Sequence, residues 1–327
     1  MSKSPNNSSD IGSTSGLAAS NMVQADSEKL ADLFPALMLE AQRLAQTLAS
    51  GFHGRKRAGQ GENFWQHRPY ISGDSVSDID WRQSARASNR LYIRQNEWES
   101  ANAVWLWRDP SASMAYSSSA NTNEKRWRAS VLTLALSIML SKGGERIGVL
   151  GARTTNDGQE TTNESSRLFH GRNAPQKIIE SMDHFSKTNT NIIPHAEKIR
   201  PGHHLVLVSD FLMDSEHVAN AINFAQTKGA KGILCQILDR AEEKFPYQGR
   251  TEFLDMESSD RLLFGSAGSV RKDYQRVFAH HQESLRKISN STGWPIITHF
   301  TDENAHNALI EIVNLLEEKN STLGGNF

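Results

Sequence analysis

Three short runs, VWLW at residues 104–107, LVLV at 205–208 and GILCQIL at 232–238, are apolar almost without interruption. A strand with one face in water alternates apolar and polar residues, whereas a strand covered on both faces has no need to. Runs this short, rich in Val, Ile, Leu and Trp, therefore predict central strands. Between and after them, residues 124–141, 174–185, 216–228, 269–290 and 304–318 carry helix spacing. Two further strands are expected at 146–152 and 295–299, with 167–170 as a hairpin partner of the first. Strands and helices in alternation imply a mainly parallel sheet between helices, wound by right-handed crossovers. The expected fold class is α/β.

The rest of the chain divides by composition. Residues 1–26 are rich in Ser, Asn and Gly and are expected to be a disordered tail. Residues 27–100 are expected to form a helix at 28–50, with Leu30, Leu33, Leu37, Leu44 and Leu48 on helix spacing, followed by a small irregular subdomain rich in Gly, Arg and Trp. Residues 101–319 hold the α/β domain, and 320–327 form a second tail. The 327 residues carry a formal net charge of −1, which points to neither a nucleic acid nor a membrane surface. Cys235 is the only cysteine, so no intrachain disulfide forms, and its place in GILCQIL predicts a buried strand residue. No signal-peptide pattern and no apolar run of about 18 residues is present. The expectation is a cytoplasmic protein without a membrane partner.

The first two of these apolar runs each lead to an aspartate at the head of a loop. The first leads into Asp109-Pro110-Ser111-Ala112-Ser113 and the second into Ser209-Asp210. A carboxylate and two hydroxyls on one loop offer a hard cation three oxygen ligands, and Mg²⁺ completes its shell with water. Open α/β sheets bind ligands beyond the carboxyl ends of their strands. Asp210, on a solvent-facing loop beside the first, would bring a second carboxylate, and two adjacent carboxylates repel unless a cation or proton lies between them. Thr190, in SKTNTNIIP, could add a hydroxyl. The plain alternative makes Asp109 and Pro110 a turn and Thr190 a helix cap.

The segment 68–99, RPYISGDSVSDIDWRQSARASNRLYIRQNEWE, mixes Arg with Asp, Trp and Tyr. Arg and aromatic residues interleaved in this way could bind nucleic acid through residues 82–94. The nearby Asp residues favour instead an Arg–carboxylate network around buried rings, with Trp81 buried and Asp80 pairing an Arg. Nucleotide-binding, zinc-protease and serine-hydrolase signatures are absent from the sequence. The adjacent pairs His203-His204 and His280-His281 cannot share one face and read as ordinary, partly exposed residues.

The run from Arg68 to Arg86 resembles a bacterial family called domain of unknown function fifty-eight. Its long pattern is met by Arg68, Tyr70, Gly73, Asp74, Ile79, Asp80, Trp81, Ser84, Ala85 and Arg86. The D-x-S-x-S loop, LVLVSDF and the stretch ILDRAEEKFPYQGRTEF resemble the family too, which covers roughly residues 40–316. The resemblance implies a von Willebrand factor type A-like, Rossmann-like domain with a metal-ion-dependent adhesion site. That site falls on Asp109, Ser111, Ser113 and Asp210, and on Thr190, with Thr188 the neighbouring choice. It implies Mg²⁺ or Mn²⁺ as the ion and a protein partner, a MoxR-type AAA+ ATPase or its client. The expected function is a non-enzymatic adaptor or co-chaperone. The rivals are a Mg²⁺- or Mn²⁺-dependent hydrolase or nuclease using Asp109 and Asp210, and a nucleic-acid binder.

Overall fold

The computed structural model describes residues 34–48, 58–71, 76, 79–86, 90–97, 103–119, 122–151, 155–156, 159–160, 168–186, 193, 198–256 and 260–321. Its centre is a six-stranded sheet built from β3 (Ala103–Arg108), β4 (Arg146–Val149), β7 (Leu168–Phe169), β8 (His204–Ser209), β9 (Lys231–Leu238) and β12 (Ile296–Phe300). The order across the sheet is β12-β9-β8-β3-β4-β7. Every pairing is parallel except β4 with the short edge strand β7. The chain is therefore mixed α/β with a mostly parallel sheet, as its pattern of runs predicts.

The continuous apolar runs serve two cores at once. Val104 and Leu106 of β3 face one side, with Val206 and Val208 of β8 and Ile233, Cys235 and Ile237 of β9. Trp105, Trp107, Leu205, Leu207 and Leu234 face the other. Four helices cover the first side: α1 (Phe34–Leu48), α3 (Lys125–Lys142), α4 (Ala174–Ser186) and α8 (Ala305–Ser321). The second side is covered by α5 (Ser215–Thr227) and α7 (Ala267–Thr292). Leu37, Ala41 and Ala45 of α1 are buried in the same core as α3. This helix, grouped by composition with residues 27–100, thus closes the α/β core rather than a subdomain of its own.

Two strand glycines mark close approaches of tryptophan. A Cβ at Gly148 would lie 2.3 Å from Trp105 Cε3, and one at Gly232 would lie 2.1 Å from Trp294 Cζ3. Trp105 Nε1 donates to His203 Nδ1 at 3.0 Å. His203 and His204, expected partly exposed, are both buried: His203 meets the Trp105 ring just before β8, and His204 is the first residue of that covered strand.

Outside the sheet, β1 (Ala58–Pro69) pairs antiparallel with β2 (Tyr92–Glu97), and Ile79 bridges to Ile93. The short α2 (Trp81–Ser84) is capped by Asp80, whose Oδ1 accepts from Gln83 N at 3.0 Å. Two expectations change here. Trp81 is 61% exposed, because it opens a four-residue helix on the outside of the β1–β2 ribbon. Asp80 pairs with His67 Nε2 at 2.9 Å and with the helix N-terminus, not with an arginine, and Arg82, Arg86 and Arg90 are exposed. Ser84 is buried and accepts from Tyr92 N at 2.8 Å, while Tyr70 N donates to Leu91 O at 2.8 Å. Arg68 Nη1 reaches Pro69 O at 3.1 Å. These members of the motif hold the ribbon to its turn. Gly73 and Asp74 lie outside the described residues.

After β9 come the short α6 (Arg240–Lys244) and the hairpin β10 (Thr251–Leu254) with β11 (Arg261–Phe264), paired in register from Thr251↔Phe264 to Leu254↔Arg261. A two-residue pair, β5 (Thr155–Asn156) with β6 (Gln159–Glu160), completes the strands among the described residues. None of the described helices is long and apolar enough to cross a membrane.

Candidate functional site

The chain leaves β3 in one direction for β4 and later returns to place β8 on the other flank of β3. Neighbouring strands whose connections run opposite ways open a crevice at their carboxyl ends. Asp109 follows β3 and Asp210 follows β8, so both lie at this switch point. The loop backbones are locked by Asp109 N donating to Val208 O at 2.9 Å.

The loop after β3 folds on its own aspartate. Asp109 Oδ1 accepts from Ser111 N at 2.8 Å, and Oδ2 accepts from Ser209 Oγ at 2.5 Å. Ser111 Oγ lies 3.0 Å from Ser113 Oγ, in a short 3₁₀ turn at Ala112–Ala115. Ser113 Oγ donates to Asp210 Oδ2 at 2.7 Å. Asp210 Oδ1 accepts from Leu212 N at 3.0 Å. The next residue, Phe211, holds a left-handed backbone with φ 53, sustained by Phe211 N donating to Ser209 Oγ at 2.8 Å and by His281 Nε2 donating to Phe211 O at 2.6 Å. A bulky side chain in this region is strained, and such strain gathers where the chain must aim a functional group.

Asp109, Ser111, Ser113 and Asp210 thus meet, as their positions at strand ends predict. Thr190 and Thr188 lie outside the described residues. One expectation changes. Asp210 is not on a solvent-facing surface; it is 1% exposed and Asp109 is fully closed off. The loops fold back over the sheet edge, and their polar atoms are satisfied by one another.

The residue missed in the sequence is Lys125. Its side chain is completely buried, with Nζ 2.8 Å from Asp210 Oδ2 and 2.5 Å from Glu242 Oε1. Glu242 belongs to the capping box of α6: Asp239 N donates to Glu242 Oε2 at 2.8 Å, and Asp239 Oδ1 accepts from Ala241 N at 2.8 Å. Asp239 also accepts from the backbone and hydroxyl of Ser118, at 2.9 and 2.6 Å. An unbroken line of polar contacts runs from Ser111 through Ser113, Asp210 and Lys125 to Glu242. Burial opposes the charge on Lys125, but the two carboxylates outweigh it and hold its pKa above the usual value. Burial raises the Asp109 pKa, and the neighbouring Asp210 carboxylate raises it further. Burial raises that of Glu242, with Lys125 acting against it.

Several lone pairs remain for a cation. Ser113 Oγ, which donates to Asp210 and accepts from Ser111, keeps one, Ser111 Oγ keeps two, and each Asp109 oxygen accepts one of the hydrogen bonds above. Asp210 Oδ2 already accepts from both Ser113 and Lys125. An ion here would take the hydroxyls and Asp109 and meet Asp210 through water, a shell suited to Mg²⁺. Among the described residues no group of three or more His, Cys, Asp or Glu side chains converges to hold a metal, so the hydroxyls are indispensable to any such site.

Beside this edge lies a cleft of about 650 Å³, with Ser113, Tyr116 and Glu242 at its inner end. Its walls come from α6, the β10–β11 hairpin and α7. Rings pack closely there: Phe245 lies 4.6 Å from Tyr274, 5.2 Å from Tyr247 and 5.5 Å from Phe253, between centroids. The hydroxyls of Tyr116 and Tyr247 are bonded to each other, and Tyr274 donates to Glu242 O at 2.7 Å.

A mostly parallel α/β sheet with a polar, aspartate-based loop pair at its switch point defines the class of the molecule. The chain matches, over residues 66–284, the family described as "Protein of unknown function DUF58", and it belongs to that family. An uncharacterized protein of Mycobacterium bovis is 24% identical over 292 residues, spanning 85% of this chain and 86% of that protein, and an uncharacterized protein of Mycobacterium tuberculosis matches to the same extent. Among solved structures, an aerotolerance-related membrane protein from Bacteroides fragilis aligns with 12% identity and a TM-score of 0.36, over 66% of this chain and 99% of that one. The conserved hypothetical protein BatB from Bacteroides thetaiotaomicron aligns with 10% identity and a TM-score of 0.35, over the same shares.

Proposed function

We propose that this chain is a non-enzymatic protein-interaction module whose sheet edge takes Mg²⁺ or Mn²⁺ and offers an open coordination position to a partner's carboxylate. The domain is read as von Willebrand factor type A-like, with Asp109, Ser111, Ser113 and Asp210 as its ion site and Thr190 as the further hydroxyl. The observation that carries this reading is Ser113 Oγ, 3.0 Å from Ser111 Oγ and 2.7 Å from Asp210 Oδ2. It joins two aspartate loops from distant parts of the chain into one oxygen-lined edge at the switch point. Following the family resemblance, the partner is a MoxR-type AAA+ ATPase or its client, and the chain works in a cytoplasmic setting as an adaptor or co-chaperone.

A ligand that binds only the folded state raises the melting temperature. Mg²⁺ or Mn²⁺ is expected to do so for the wild type, and Asp109→Asn and Ser113→Ala are expected to abolish the rise. Identical responses in all three proteins would sink the ion site. Co-purification of tagged wild type with Mg²⁺ and with chelator reads the partner: equal recovery in both would separate partner binding from the ion. Turnover of a phosphoester by the wild type, lost in Asp109→Asn, would replace the interaction module with the hydrolase.

A further inference from the structure

We propose that the cleft between α6, the β10–β11 hairpin and α7 binds a polypeptide partner through an arginine or lysine side chain set among apolar residues. The proposal deepens the interaction-module reading by naming the partner's chemistry, and it does not depend on the ion.

Three features of the cleft point to this occupant. Its aromatic content is high: Tyr116, Phe245, Tyr247, Phe253, Phe264 and Tyr274 all line it. A cation near such rings is attracted by their π-faces, more strongly as water is excluded. The charged side chains in the lining are all acidic, namely Glu242, Asp255 and Asp273, with no lysine or arginine among them. Glu242 is already engaged by Lys125 at the inner end, and Asp273 stands at the mouth, 2.9 Å from Arg276 in an exposed pair. Lys125 also lies 5.7 Å from the Tyr116 ring, so the inner end is already served by a cation, and an entering guanidinium would meet the outer rings with Asp255 and Asp273. Arginine suits this better than lysine, because its planar group stacks on rings and sheds water more readily.

The rim says that the occupant is larger than a small organic cation. Leu254 is 58% exposed and Val277 67%, and both line the cleft. Leu262 and Leu263 are also exposed, on the same hairpin but beyond the lining. Exposed apolar side chains at the rim of a cleft mark a protein contact more than a small-ligand pocket. A volume of about 650 Å³ accommodates a few side chains, and the exposed leucines then give the flanking residues somewhere to rest.

The test uses the full chain and a fluorescein-labelled peptide of alternating Arg and Leu, read by anisotropy in chelator. Companion peptides carry citrulline or Glu in place of Arg, and benzyltrimethylammonium serves as a small cation. Asp273→Lys reverses the charge at the mouth, Leu254→Ser removes rim contact, and Glu318→Lys repeats the charge change on α8. All three positions are exposed, so the variants are expected to fold. The Arg peptide should bind the wild type and the Glu318→Lys protein alike. Binding should fall by about tenfold or more in Asp273→Lys, since like charges at an interface repel strongly. It should weaken in Leu254→Ser. Equal affinity for the Arg, citrulline and Glu peptides, no binding at all, or no effect of Asp273→Lys would overturn the proposal. Displacement of the peptide by benzyltrimethylammonium at comparable concentration would overturn the polypeptide occupant and make the cleft a small-cation site. Peptide binding that appears only with Mg²⁺ would overturn its independence from the ion. The melting-temperature series with Asp109→Asn reads the ion site separately, so either reading can fail alone.

Discussion

The Lys125 ammonium lies 2.8 Å from the Asp210 carboxylate, and the two side chains are 0% and 1% exposed. An internal cation thus already neutralises one of the two strand-end aspartates. Asp210→Ala would leave Lys125 facing only Glu242 in a buried setting. Removing one partner of a buried pair costs roughly 3–5 kcal/mol, whereas replacing both by apolar groups costs far less. Asp210→Ala and Lys125→Met are each expected to lose about that much in urea unfolding, and Lys125→Met/Asp210→Leu to lose less than the two losses added together. Additive losses would mean that the pair is not coupled. Asp210→Ala is therefore a poor probe of partner binding, and Asp109→Asn and Ser113→Ala are the better variants.

On the proposed reading, the same ammonium would compete with a divalent ion for Asp210. In Lys125→Met, assayed where it remains folded, Mg²⁺ is expected to raise the melting temperature more than in wild type, because the ion replaces a missing positive charge. A smaller rise than in wild type would show that Lys125 supports the ion's shell instead of competing with it.

Most of the sheet was legible because a doubly covered strand leaves a simple mark, a run without polar interruption. β3, β8 and β9 carry it, and the aspartates that follow β3 and β8 mark the switch point. Lys125 left no such mark. A lysine at the start of a helix reads as solvated, and its partners Asp210 and Glu242 are brought to it only by the fold. The hairpin β10–β11 was missed for another reason: its strands read TEFL and RLLF, with apolar residues side by side and Leu254, Leu262 and Leu263 exposed, so the sequence lacks the alternation that betrays a half-buried strand. Trp81 misled in the opposite sense, since a large ring is read as core until its place on a four-residue outer helix is known.

The tryptophans give a clean contrast in stability. Trp81→Ala is expected to shift the unfolding free energy by under about 1 kcal/mol, as exposed substitutions do. Trp294→Ala is expected to cost about 3–5 kcal/mol, the loss for a buried large aromatic. Gly232→Ala should also destabilise, by about 1–3 kcal/mol, because its methyl would drive into the Trp294 ring. Denaturant midpoints decide it: comparable losses in Trp81→Ala and Trp294→Ala would refute the placement of Trp81.

Cys235 sits in the middle of β9 with no exposure, and burial pushes its thiol up to about 12. The reactive form of cysteine is the thiolate. The folded protein is expected to leave an aromatic disulfide reagent unconsumed, and denaturant should release one equivalent of thiol per chain, since Cys235 is the single cysteine. Stoichiometric reaction without denaturant would show that β9 opens or that the residue is not central.

His299, on β12, is a second source of acid sensitivity, far from the Asp109–Asp210 loops in sequence. Burial pushes its pKa down to about 4, helped by the Arg128 guanidinium and by Arg240, with Asp302 working the other way. Its ring is neutral in the folded chain at neutral pH, and no hydrogen-bond partner meets Nε2. In the unfolded chain a histidine titrates near 6.5. Between these values the unfolded state takes up a proton that the folded state refuses, so unfolding gains as pH falls. The stability tied to the neutral ring is complete above about pH 6.5 and drains away toward about pH 4, by at most roughly 3 kcal/mol. His299→Phe keeps a ring of similar size and removes the proton site. Urea unfolding is therefore expected to show a smaller loss of stability for His299→Phe than for wild type between about pH 7 and about pH 5. Parallel losses in the two proteins would mean that other groups carry the acid sensitivity and that His299 is protonated at little cost.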